Sequence, residues 1–363
     1  MTLQSLGVEQ AVAYDEQKDA RPAPSRLSAF VELTKPRVMS LAIFTAISGF
    51  VLAPAHGPWI GSAISLLAVA AGAGGAGALN MWWEGDVDAL MSRTARRPIP
   101  SGRVTRLEAL TLGSVLSAAG VAILLAQGFI AAALLLAGTI AFYVGVYTMC
   151  LRRMTPANIV IGGAAGATPP LIGWLVSGSG PGLLPFVLFL MIFLWIPPHF
   201  WSLSLLRTNE YARARIPMTP VVAGARATTL RILIYTIGLV AVSVLPGVLW
   251  LAGPVYDGVA AGAGAVMVWL AADLHRAAPQ FRAQFAHRLF SYSILYLFVV
   301  FAGLLADKGL TELADPAPNE AVLIVDPSPV RHRQGHSDNA GAGYLPPQVG
   351  WSNGAKRAGQ GWS

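Results

Sequence analysis

Charge is scarce in this chain: Asp, Glu, Lys and Arg together make up 12% of its 363 residues, while hydrophobic residues make up 55%. Cysteine is scarcer still. Cys150 stands alone, which excludes an internal disulfide framework and any multi-cysteine metal or iron–sulfur site, and points to packing rather than nucleophilic chemistry. A mean hydropathy of +0.57 excludes the pair of soluble domains that this length would otherwise allow. No cleavable signal segment is visible, because the first apolar span begins too late. The amino-terminal stretch carries Glu9, Asp15, Glu16 and Asp19, whereas mitochondrial transit peptides are nearly free of acids. A bacterial inner (plasma) membrane is therefore the expected location.

What the chain does have is a series of long apolar runs, each near the ~20 residues a helix needs to cross a bilayer. Nine are expected, with approximate cores at 39–54, 60–83, 107–126, 129–149, 159–176, 183–203, 230–251, 255–272 and 289–306. Pro185 and the Pro197-Pro198 pair predict a kink or an early end in the sixth. Residues 1–30 are polar and form an expected cytoplasmic lead-in, 31–306 the membrane domain, and 307–363 a low-complexity, disordered tail. His332 and His336 in that tail are read as solvated residues.

Basic residues test this count independently, because cytoplasmic loops collect Lys and Arg. With the N-terminus inside, the internal segments hold every basic residue up to Arg288, among them Lys35, Arg37, Arg93, Arg97, Arg153, Arg213 and Arg282, and the outside loops hold none. The same threading puts the C-terminus outside. The net charge of +7 is thus a topology signal, and nucleic acid is not an expected partner.

The chemistry concentrates in NMWWEGDVDALMSRTARRPIPSGRV, residues 80–104. Asn80, Glu84 and Asp88 are spaced i, i+4, i+8, so a helix that continues past the second span sets them along one face, with Asp86 pointing elsewhere. Two carboxylates and an amide oxygen suit Mg²⁺, which binds one or two carboxylates together with substrate phosphates. The arginines that follow supply planar donors for phosphate oxygens. A solvated helix end carrying topological arginines is the plain alternative. It is disfavoured, because acids abutting a hydrocarbon-length span are costly unless partnered.

A second internal segment, residues 195–222, carries His199 among aromatics, then Asn209 and Glu210. The histidine admits three readings: an axial haem ligand, a proton carrier or a buried imidazole. Asn209 and Glu210 are either a second oxygen-ligand arm or an exposed helix end. A third segment, residues 147–170, brings Arg152, Arg153 and Asn158 to the same membrane face, and its glycines point to close helix packing.

Taken together, LTKPRV (33–38), the 80–104 block, NIVIGGAAGATPP (158–170), WIPPHFW (195–201) and EYARARIPM (210–218) resemble the protohaem IX farnesyltransferase, or haem O synthase, branch of the UbiA-type intramembrane polyprenyltransferases. The resemblance runs in order over roughly residues 30–306. It implies a nine-helix bundle with a central cavity open to the cytoplasmic side. It also implies Mg²⁺-bound farnesyl diphosphate as donor and a vinyl group of haem B as acceptor, with water addition giving haem O for terminal oxidases.

By the family pattern Asn80, Glu84 and Asp88 match Asn-x-x-x-Asp-x-x-x-Asp, with Glu84 lengthening one arm. Arg93, Arg97, Arg153, Lys35 and Arg37 are the expected diphosphate contacts, Lys35 and Arg37 serving either the diphosphate or haem propionates. His199, Asp86, Asn209, Glu210 and Asn158 are the expected acceptor-side or supporting residues. The second Asp-rich motif of the wider superfamily is missing, which leaves the number of Mg²⁺ ions open. Expected partners are the two substrates, the lipid bilayer, and haem A synthase or oxidase assembly factors. The rival readings are a related prenyltransferase with a quinone-precursor or chlorin acceptor, a secondary transporter, and a haem chaperone.

Overall fold

The computed structural model describes residues 25–314. The regular elements among those residues are all helices, with no strand among them. Helix α1 (Arg26–Leu33) meets α2 (Pro36–Leu52) at a 47° bend. The long spans that follow are α3 (Trp59–Asp88), α4 (Arg106–Ala126), α5 (Ile130–Met154), α6 (Asn158–Val176) and α7 (Leu183–Leu206). After the short α8 (Thr208–Arg213) come α9 (Gly224–Val248), α10 (Pro254–Arg276) and α11 (Arg282–Ala314). Eight helices are single spans by length and composition, and the bent α1–α2 pair brings the total to nine.

The first and last spans end on the same side, as an odd count requires. Lys308 of α11 donates to the Val51 and Ala53 carbonyls at the end of α2, at 2.5 and 3.1 Å. Beside it, Asp307 accepts from the Gly253 and Tyr256 N–H groups at 2.5 and 3.2 Å, capping the start of α10. The opposite, basic face collects the ends that carry Asp88, Arg106, Arg152, Arg207, Arg276 and Arg282.

Two boundaries differ from the expectation. Helix already starts at Arg26, and α11 continues to Ala314 rather than ending near 306. Asp307 and Lys308, which look like the start of a polar tail, are tied into the bundle. The remaining parts of the two extensions, including His332 and His336, lie outside the described residues. Helix α7 does not end at its prolines: Pro197 and Pro198 sit inside a continuous helix to Leu206. Both are buried, where packed neighbours tolerate the lost N–H donors.

Small residues set the helix separations. A Cβ on Gly173 of α6 would run into the Ala46 carbonyl of α2, and one on Gly49 into that of Pro170. These spans cross backbone to backbone, the packing that glycine permits in membranes. The glycines of the 158–170 block make room for side chains instead: a Cβ on Gly162 would overlap the Tyr147 ring, and one on Gly163 would lie 3.3 Å from Ile196.

Candidate functional site on the basic face

Helix α3 does continue past the apolar core of its span, to Asp88. Asn80, Glu84 and Asp88 are buried along one side of its last turns, at 2%, 1% and 0% exposure. Burying two carboxylates is costly without compensation, and the surrounding helices supply it. Arg152 donates to Glu84 Oε2. Arg97 Nη1 donates to Asp88 Oδ2 at 2.7 Å. Asn80 Nδ2 donates to Glu84 Oε2 and to Thr148 Oγ1, both at 3.0 Å, while its Oδ1 accepts from Lys35 Nζ.

Local backbone explains how these groups reach one place. Lys35 precedes Pro36, whose ring disfavours the right-handed helical region for the residue before it. Lys35 sits instead in the left-handed region, with φ of 53°, in the break between α1 and α2. Gly74 and Gly77 of α3 let this break come close, with Thr34 and Lys35 against them. Thr148 and Arg152 are delivered by an unusual stretch: within α5, Phe142–Leu151 is π-helical. Wider winding of this kind is rare and often marks functional sites. The Thr148 hydroxyl hydrogen is spent on the Tyr143 carbonyl at 2.8 Å, which leaves its oxygen free to accept from Asn80.

Three basic side chains thus converge on the row: Arg152 and Arg97 each pair with one carboxylate, and Lys35 donates to the Asn80 amide oxygen. Asp88 Oδ1 is buried with no hydrogen-bond partner. Among the described residues no three His, Cys, Asp or Glu side chains converge on one point. The triad therefore offers a cation two carboxylates and an amide oxygen, and the remaining ligand positions would fall to water or phosphate oxygens. That is the usual habit of Mg²⁺, and the orphaned Asp88 oxygen fits such an ion.

The other expected residues separate into those near this cluster and those away from it. Asp86 is exposed on the far side of α3 and pairs with Arg153 at 3.0 Å, a surface ion pair. Arg93 and Arg37 are exposed. Asn158 is buried and its amide nitrogen donates to the Thr155 carbonyl at 2.7 Å, closing the α5–α6 turn.

Asn209 and Glu210 line an open cleft of about 480 Å³ with Arg207 and Arg213. Arg207 donates to Glu210 at 2.6 Å and holds its carboxyl below the usual carboxylate range. Ser92, from the loop after Asp88, lies beside Glu210, so the two loops meet. Met91 and Val87 share a hydrophobic cluster with Tyr211, Ile216 and Met218. His199 lies apart, between Trp195 and Phe290, with Nδ1 2.7 Å from Ser293 Oγ. Two partners escaped the sequence reading. Thr148 lies in an apolar run with no signal around it, and of the adjacent arginines the sequence points to Arg153, whereas it is Arg152 that reaches the buried row.

A buried acid–amide row compensated by cations, at one end of a bundle of apolar helices of bilayer length, defines a polytopic membrane protein. The chain belongs to the UbiA prenyltransferase family, which residues 42–302 match. A protoheme IX farnesyltransferase from Parvibaculum lavamentivorans is 51% identical over 282 residues, covering 77% of this chain and 89% of that protein. The fold is shared with a digeranylgeranylglyceryl phosphate synthase structure, at TM-score 0.65 and 16% identity over 78% of this chain and 98% of that one. It is shared also with a UbiA homolog from Archaeoglobus fulgidus bound to GPP and Mg²⁺, at TM-score 0.55 and 16% identity over 76% and 99%. The protein is a multi-pass membrane prenyltransferase.

Proposed function

We propose that this enzyme transfers the farnesyl group of farnesyl diphosphate to a vinyl group of haem B, with addition of water, to give haem O for terminal oxidases. The observation that carries this reading is the buried Asn80–Glu84–Asp88 row with a guanidinium on each carboxylate and the unpartnered Asp88 oxygen. It is joined by the identity to farnesyltransferases of haem over most of the chain.

In the reaction the bond between C1 of the farnesyl chain and the diphosphate oxygen breaks, and its electron pair leaves with the diphosphate. The terminal vinyl carbon attacks C1, and the adjacent carbon takes up water with loss of a proton. The overall change consumes haem B, farnesyl diphosphate and water, and releases diphosphate. Lys35, Arg97 and Arg152 would bind the diphosphate oxygens, with Arg93 at the rim. Positive donors fixed before the reaction stabilise the departing anion without reorganising. Glu84 and Asp88 would hold Mg²⁺, with Asn80 supporting, and Mg²⁺ when bound supplies the charge compensation that lets the diphosphate leave. Thr148 keeps Asn80 oriented. The apolar spans hold the farnesyl chain and keep water from the allylic cation until carbon attacks.

Arg153, Arg37 and Asp86 would act at the rim, guiding anions rather than touching the reacting atoms. Glu210, Asn209 and Arg213 would line the entrance for the larger acceptor. The basic face is then the cytoplasmic face of a bacterial inner membrane, with the N-terminus inside. Haem A synthase or an oxidase assembly factor would receive the product. The acceptor is tested by supplying purified enzyme with farnesyl diphosphate and either haem B or an aromatic quinone precursor. Product from haem B alone supports the assignment, and product from the quinone precursor alone rejects it.

A further inference from the structure

The turn that joins α9 to α10, on the face opposite the basic one, carries a residue that its backbone does not favour. Helix α9 ends in a Schellman arrangement: the Trp250 N–H donates to the Gly247 carbonyl at 2.9 Å and the Leu251 N–H to the Pro246 carbonyl at 2.7 Å. The left-handed position in that arrangement usually falls to glycine, because a Cβ there crowds the backbone. Here it falls to Trp250, with φ of 57°. Among the described residues, Lys35, Arg215 and Trp250 are the non-glycine residues with positive φ. Lys35 thereby reaches Asn80. The Trp250 indole instead turns away from the chain, 93% exposed, so the strain is not offset by packing within the protein.

The turn is held on both sides of this tip. A Cβ on Gly247 would strike the Asp257 carboxylate, and Asp307 accepts from the Gly253 and Tyr256 N–H groups. What the tip faces follows from the helix that leads to it. Leu230, Ile234, Ile237 and Val248 are exposed along α9, at a spacing of i, i+4, i+7 and i+18 that sets them on one face. In a bundle of bilayer-length spans that face meets lipid, and the exposed Leu249, Trp250 and Leu251 continue it. From Ile232 to Tyr256 the chain holds no charged side chain, so nothing in the turn recruits water or a charged partner. Tryptophan is favoured at the membrane–water interface, where the apolar ring meets the acyl chains and the N–H meets the head groups.

We infer that Trp250 is an interfacial anchor. Its indole seats in the head-group region of the leaflet on the face opposite the basic one and fixes the depth of the α9–α10 hairpin, and the left-handed backbone is kept because it presents the ring outward. The anchor is independent of the proposed reaction and holds whichever acceptor the enzyme uses.

The test uses the full-length protein in nanodiscs of phosphatidylcholine and phosphatidylglycerol. A nitroxide is attached at Trp250→Cys, and separately at Val248→Cys, in a Cys150→Ser background that leaves no other cysteine. Power-saturation EPR then measures its collisions with dissolved oxygen and with a water-soluble nickel chelate. At both positions oxygen is expected to collide several-fold more often than the chelate. Frequent collision with the chelate would place the tip in water, and shielding from both reagents would place it under protein, a second copy included; either result overturns the anchor. The native indole is followed through the fluorescence lost in Trp250→Phe, which is expected to be quenched more by lipids brominated near the head group than by lipids brominated at the chain ends. The reverse order, or no quenching by either lipid, overturns the interfacial depth. The strain is isolated by two variants that both lack the indole: Trp250→Gly is expected to melt above Trp250→Ala, since glycine alone relieves a positive φ. Equal or lower melting of the glycine variant overturns the claim that the backbone is kept at a cost to present the ring.

Discussion

Arg97 donates from Nη1 to Oδ2 of Asp88 over 2.7 Å, and Oδ1 of the same carboxylate stays buried without a partner. The pairing spans only nine residues of sequence, yet it closes the loop after α3 back onto the helix end. Thr94 adds to the closure by donating to the Asp88 carbonyl at 2.8 Å. One oxygen is neutralised and the other is held open. A purely structural ion pair at this depth would be expected to satisfy both.

Adjacent arginines should behave very differently. Arg152 pairs with buried Glu84, while Arg153 pairs with Asp86 across an exposed surface. Arg152→Ala leaves a buried carboxylate uncompensated and should cost ~3–5 kcal/mol, together with loss of diphosphate affinity. Arg153→Ala should change stability by less than ~1 kcal/mol. Thermal unfolding in detergent and a prenyl diphosphate binding assay on both variants check the contrast.

Gly162 places the Tyr147 ring, since a methyl group there would overlap it. Gly162→Ala should force the ring aside and disturb the π-helical stretch that carries Thr148 and leads into Arg152, at a cost of ~1–3 kcal/mol from overpacking. Gly145, which has open space around its Cβ position, is the control. Gly145→Ala should leave thermal stability unchanged or slightly raised. Equal effects at both sites would contradict the packing role given to Gly162.

On the opposite face, Asp307 caps α10 and Lys308 ties α11 to the end of α2. Asp307→Ala should lose ~1–2 kcal/mol of stability from the missing cap while leaving diphosphate affinity on the basic face intact. Truncation after residue 306 should be more damaging than truncation after 314. Thermal shift and diphosphate binding on these three proteins measure both halves of the expectation.

The spans and the acid–amide row were legible in the sequence because both are written in local periodicity. Apolar runs of bilayer length gave the helices, and the spacing of Asn80, Glu84 and Asp88 survived because α3 keeps its phase to Asp88. The partners of that row were less legible. Thr148 reaches it only because ten residues of α5 are π-wound, which shifts the helix phase so that neither its face nor that of Arg152 could be predicted from a regular helix. The tail boundary misled for a different reason: the burial of Asp307 depends on the N-terminus of α10, 51 to 54 residues away in sequence, which composition alone does not reveal.

The most direct test of the central claim compares the pigments of membranes holding the unaltered protein with those holding Asp88→Asn, with haem B and farnesyl diphosphate supplied. The substitution keeps the shape of the side chain and removes the charge that the open oxygen would offer to Mg²⁺. The account predicts haem O from the unaltered protein and a loss of roughly 100-fold or more in the variant, with folded protein in both. Haem O made equally by both would contradict the role given to Asp88. Its absence from both, with folded protein and Mg²⁺ present, would contradict the acceptor.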